Sequence, residues 1–195
     1  MRTPGPCILV LTAPSGSGKT TVAKRLLEAI PEIRFSVSAT TRPRRDHEIH
    51  GVHYHFLTQD QFDQALLDGQ LLEHEEVYPG CWYGTLQSEV ENSSVTAPIL
   101  LDIDVKGALN VKSRYGSRAF IVFVQPPSLE ILEQRLRSRG TETEESLSQR
   151  LGRASEELEY ADRFDTVIVN DILEAAVEET ISGVRSFLNS FTTDT

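Results

Sequence analysis

The chain has 195 residues, 39% hydrophobic and 25% charged, a composition that suits one soluble globular domain with a small insert. Its net charge of −10, from 29 acidic against 19 basic residues, argues against a general binder of nucleic acid or anionic membranes. The two cysteines, Cys7 and Cys81, give neither metal spacing nor a disulfide framework, so a cytoplasmic setting is expected. The N-terminal apolar run is far too short for a membrane span, and no small-residue cleavage pattern follows it.

Residues 7–12 form a near-continuous apolar run and read as a strand buried on both faces. Next comes Ala13-Pro14-Ser15-Gly16-Ser17-Gly18-Lys19-Thr20, then a helical stretch over 20–30 that includes Thr21. Strand, glycine-rich loop and helix in that order form a phosphate-binding loop. Its small residues let backbone N–H groups turn inward around a phosphate, and the helix N-terminus adds partial positive charge. Lys19 supplies a cation for the outer phosphates and Thr20 a hydroxyl for Mg²⁺. Ala13 stands where the pattern normally has glycine, and its Cβ would disfavour a positive φ.

Residues 34–85 interrupt the alternation. A strand is expected over 34–38, followed by the basic turn Thr40-Thr41-Arg42-Pro43-Arg44-Arg45. Residues 52–57 alternate and read as a half-exposed strand, 59–67 as a short helix, and 70–77 and 82–85 as further strands. All five histidines fall between His47 and His74. Without an acidic or cysteine cluster to complete a ligand set, they read as a polar face of this insert. Beyond it, strands over 98–103, 119–124 and 166–169 alternate with helices over 105–115, 129–138, 144–160 and 172 to about 187. That rhythm means a parallel sheet flanked by helices. The polar stretch 139–148 reads as a mobile lid. The basic residues are fifteen arginines and four lysines, and arginine is the better bidentate clamp for phosphate.

The ordered series P-S-G-S-G-K-T (14–20), S-V-S-A-T-T-R-P-R (36–44), G-V-H-Y-H-F (51–56), L-L-E-H (71–74), W-Y-G-T (82–85), L-L-D-I-D-V-K-G (100–107), R-G-T-E-T-E-E-S (139–146) and V-I-V-N-D (167–171) resembles the guanylate kinases over nearly the whole chain. The resemblance implies an α/β fold of the P-loop NTPase type and the reaction ATP + GMP giving ADP + GDP, with Mg²⁺ accompanying ATP. It also implies a core (5–33, 95–138 and 161–190), a mixed α/β GMP-binding insert (about 34–85) and a helical lid (about 139–160). By matching position, ATP belongs to residues 13–21 with Arg135, Arg139 and Asn170. Arg42, Arg45, Tyr54 and Tyr83 would hold the GMP phosphate, and Ser38, Glu73, Thr85 and Asp104 would read the guanine. Asp102 resembles the acidic residue near the metal and borders the GMP site. Lys19, Arg42, Arg135 and Arg150 would carry the catalysis. Monomer and homodimer stay open, and neither nucleic acid nor membrane is an expected partner.

Against this pattern, Ala13 replaces a glycine, His47 a glycine and His53 an aspartate, and the segment 78–82 is about one residue longer than usual. Two other functions compete: a non-catalytic module that binds phosphorylated peptides through the same pocket, and a kinase of phosphorylated sugars. The intact Gly16, Gly18, Lys19 and Thr20 speak against the first. The guanine set speaks against the second.

Overall fold

The computed structural model describes residues 5–138 and 143–191. In chain order the first elements are β1 (Ile8–Thr12), α1 (Lys19–Ala29), β2 (Arg34–Phe35), β3 (Ala39–Thr40) and β4 (His55–Phe56). Then come α2 (Gln59–Leu67), β5 (Leu71–Tyr78), β6 (Cys81–Leu86), α3 (Gln87–Glu91) and β7 (Ile99–Asp102). The remainder is α4 (Val105–Tyr115), β8 (Ala119–Gln125), α5 (Leu129–Ser138), α6 (Glu144–Leu158), β9 (Thr166–Val169) and α7 (Leu173–Asn189).

A five-stranded parallel sheet of order β2-β7-β1-β8-β9 forms the core. Strand β1 is its centre and is buried at every position. Alternate side chains of a strand face opposite ways. Leu9 and Leu11 therefore pack with Val22 and Leu26 of α1 and Val177 and Val184 of α7, while Ile8 and Val10 pack with Ala108 and Val111 of α4. Burying each valine, leucine or isoleucine here stabilises the fold by about 1.5–3 kcal/mol. A separate cluster, Leu132, Leu136, Leu147 and Ala154, joins α5 to α6. No helix among the described residues is long and apolar enough to cross a membrane.

A second, four-stranded sheet has the order β4-β3-β6-β5, with β5 and β6 antiparallel. Helix α2 covers it by packing Phe62 and Ala65 against Ala39 and Leu71. A reciprocal cap starts this helix: Thr58 accepts from the Gln61 amide, and Gln61 accepts from the Thr58 amide.

Three expectations need correcting. The strand over 34–38 shrinks to Arg34–Phe35, and the next strand, Ala39–Thr40, belongs to the other sheet. The Ser36 amide still bonds Leu100 O in the core, but the Val37 amide turns to the Glu89 carboxylate, and the chain crosses into the second sheet as β3. The strand over 52–57 shrinks to His55–Phe56, because Gly51 (φ +76°) opens a turn. In that turn the His53 and His50 Nδ1 atoms accept the Ile49 and Phe56 amides. These two histidines satisfy backbone groups, and the described residues hold no cluster of three or more potential metal ligands. Helix α3 was not anticipated. The 78–82 segment forms a hairpin turned by Pro79 and Gly80 (Gly80 φ +74°), with register shifts in β5 between Leu71 and Glu73 and between Glu76 and Tyr78. Arg139 and the start of the expected lid lie outside the described residues.

Candidate active site

The loop between β1 and α1 holds its shape through backbone geometry. The Ser17 amide donates to Pro14 O at 3.1 Å, and Gly16 and Gly18 adopt φ of +97° and +94°, where glycine is favoured. Space requires glycine at both positions too. A Cβ on Gly18 would stand 2.3 Å from Asn170 Nδ2, and one on Gly16 would stand 2.9 Å from Leu132 and Leu136. Among the described residues no non-glycine has a positive φ, so the Cβ of Ala13 meets no positive-φ strain.

Gly18 offers α1 no side-chain cap, and Gly18, Lys19, Thr20 and Thr21 line a cleft of about 660 Å³. Lys19 Nζ lies 2.6 Å from Asp102 Oδ1 and donates to Ile103 O at 3.2 Å. Strand register explains the pairing, since Asp102 sits beside Leu11 at the carboxyl end of the sheet, the end where ligands of such sheets bind.

The opposite wall comes from the second sheet. Glu73 is buried, and its Oε1 accepts from the Thr85 hydroxyl at 2.6 Å. Its Oε2 lies against Gly107, where a Cβ would come within 2.9 Å. Burial pushes its pKa up, and the Thr85 hydrogen bond pulls against that. Asp104 caps α4 by accepting the Gly107 amide at 2.8 Å. Ser38, Tyr54 and Tyr83 line the same cleft. Arg42 stands behind the two tyrosines, donating to the Tyr83 hydroxyl at 3.2 Å, with its guanidinium 5.5 Å from the Tyr54 ring centre. The third wall is α6, with Ser146, Gln149, Arg150 and Arg153. Arg150 donates to the Ser15 hydroxyl at 2.8 Å.

Most expected residues therefore meet in one cleft, but among the described ones six do not line it: Ser17, Arg42, Arg45, Thr85, Arg135 and Asn170. Asn170 is buried and donates to Ser17 O at 2.7 Å, while Arg135 donates to Asn170 O at 2.9 Å. Both buttress the phosphate loop. Thr85 reaches the cleft through Glu73. A second, shallower groove of about 810 Å³ between α1 and α7 contains none of the expected residues.

Sequence reading gave no role to Glu48. Its carboxylate takes two hydrogen bonds from Arg42, at 2.7 and 3.1 Å, and one from the Arg45 amide at 2.8 Å. These bonds, from Arg42 first, lower its pKa to about 2. A run of arginines needs a countercharge wherever part of it is buried, and that need was the available signal. Glu75, Arg153 and Glu157 also line the cleft unanticipated; their pairing joins segments far apart in sequence.

The guanylate kinase family model matches residues 6–189. A guanylate kinase of Salinibacter ruber is 58% identical over 183 residues, covering 94% of this chain and 97% of the relative. One from Chlorobium luteolum is 50% identical, covering 94% and 93%. The crystal structure of guanylate kinase from Anaplasma phagocytophilum superposes with a TM-score of 0.71 at 32% identity, covering 98% of this chain and 88% of that one. Taken with a phosphate loop facing a buried carboxylate across one cleft, these likenesses show that the chain belongs to the guanylate kinase family.

Proposed function

We propose that the chain transfers the γ-phosphoryl group of ATP to GMP, giving ADP and GDP, and that it does so in the cleft between the phosphate loop and the second sheet. The observation that carries this reading is Glu73. A buried carboxylate, braced by Thr85, faces the same space as the phosphate loop. Guanine offers N1–H and N2–H₂ donors on one edge, which a carboxylate accepts together. Adenine lacks that pair.

Residues 13–21 cradle the ATP phosphates, with Lys19 on the outer ones. Asn170 and Arg135 serve that end by holding the loop. Tyr54, Tyr83, Arg42 and Arg45 receive the GMP phosphate, with Glu48 aligning Arg42. Ser38, Glu73, Thr85 and Asp104 read the base. The GMP phosphate carries about −1.5 to −2 charges, so its approach to ATP is repulsive until cations screen it. Arg42 from the insert and Arg139 and Arg150 from the lid segment supply them. The bond from the γ-phosphorus to its bridging oxygen breaks as one forms to an oxygen of GMP, and ADP leaves. The attacking oxygen is already anionic, so no general base is needed.

Mg²⁺ fits the residues present: the Thr20 hydroxyl and the Asp102 carboxylate are hard oxygen donors on one cleft. When bound, the ion neutralises phosphate charge. Core, insert and lid act as three parts, and the free thiols Cys7 and Cys81 suit the cytoplasm. The test is ADP formation from ATP and Mg²⁺ with GMP, dGMP, AMP, CMP or UMP as acceptor. GMP should exceed AMP in kcat/KM by roughly 10⁴ or more. Equal use of GMP and AMP would overturn the reading.

A further inference from the structure

Arg153, in the second half of α6, binds three carboxylates, two of them from other elements. Its guanidinium Nη2 lies 2.8 Å from Glu75 Oε1 on β5 and 3.7 Å from Asp104 Oδ2 at the cap of α4, while Nε lies 2.9 Å from Glu157 Oε1. Glu75 is two residues along β5 from Glu73. Asp104 holds the Gly107 amide, and Gly107 is where the Glu73 carboxylate rests. The arginine therefore bridges α6 to both elements that carry the guanine-side carboxylates.

We propose that Arg153 and Glu75 are positioning residues for the acceptor base: their ion pair fastens α6 to β5 and to the cap of α4, fixing Glu73 and Asp104 for guanine. The proposal rests on the reading of Glu73 and Asp104 as guanine ligands. Glu73, Glu75, Asp104 and Glu157 crowd one region with two cations, Lys19 and Arg153, among them. Without Arg153 the like charges repel, and the carboxylates lose the fixed spacing that two donors on one base edge require. Burial first, and then hydrogen bonding with Asp104, raise the Glu75 pKa to about 7, as expected of carboxyls drawn this close. The contact of α6 with the phosphate loop is made by Arg150 on Ser15, whereas Arg153 holds Glu75 and Asp104, so the pair acts on the guanine side.

The test is a double-mutant cycle on the full chain with Arg153→Ala, Glu75→Ala and both together, reading kcat, KM for GMP, KM for ATP and melting temperature. Each single variant should raise KM for GMP about tenfold. KM for ATP and kcat should stay within about twofold, and the double variant should be no worse than Arg153→Ala. Arg153→Lys should recover only part of the loss, because one ammonium cannot reproduce the guanidinium fork. Additive losses, or equal increases in KM for GMP and ATP, would overturn the proposal. Glu73→Gln, measured alongside, reports on the guanine reading alone. It should lower kcat/KM for GMP by about 10²-fold and leave that for AMP nearly unchanged. If it lowers both equally, the guanine reading fails, whatever the cycle returns.

Discussion

At the scale of single residues, the site is organised by charges that hold other charges. Lys19 rests on Asp102, Arg42 on Glu48, and Arg153 on Glu75. Each cation is held in place before any phosphate arrives, which limits the entropy lost on binding. The Arg42–Glu48 pair has a pH signature. The folded pKa of Glu48, about 2, lies below its ordinary value of 4.5. The folded state thus binds this proton less readily than the unfolded chain, and the pair's stabilisation is present above about pH 4.5 and is lost as pH falls toward 2. Glu48→Gln should melt below wild type at pH 7, with the gap narrowing as pH drops from 5 to 3. A gap that stays constant across that range would show that the charge of Glu48 contributes nothing. Lys19 and Glu73 were legible from sequence, since each sits inside a short motif. Glu48 and Arg153 were not: Arg153 and Glu75 lie 78 residues apart, and only the fold brings them together.

At the scale of elements, continuous apolar runs were easy to read. β1, β7, β8 and β9 appear where hydrophobicity alone puts them, because strands covered on both faces admit little else. The insert was harder. A two-residue strand such as β3 or β4 carries too few side chains for a period to show, and the transfer from core to insert at Val37 depends on Glu89, 52 residues away. The phosphate loop is the element whose sequence departs from its pattern and whose structure does not. With φ at Ala13 not positive, Ala13→Gly adds unfolded-state freedom without relieving strain. It should be neutral or destabilise by up to about 1 kcal/mol in chemical denaturation, with KM for ATP unchanged. A stabilised variant, or one with collapsed ATP affinity, would mean that the alanine side chain has a different part in the loop.

At the scale of the whole molecule, three walls from distant parts of the chain enclose one cleft. The phosphate loop follows β1, Glu73 and Tyr83 stand on β5 and β6, and Arg150 and Arg153 come from α6. The α/β class was legible because strand and helix alternate outside 34–85, and the second sheet lies within that interruption. How the walls face one another was not, since a one-dimensional pattern carries no information on the angle between two sheets. Arg150 of α6 already rests on Ser15 of the phosphate loop, so the split arginines imply closure of the second sheet, which must bring Arg42 toward the transferred group. The most direct test is small-angle scattering of the full chain with a non-reactive analogue that joins adenosine and guanosine through a polyphosphate. One analogue should bind per chain, be displaced by both ATP and GMP, and give a smaller radius of gyration at saturation. An unchanged radius at saturation, or displacement by only one of the two nucleotides, would contradict this reading.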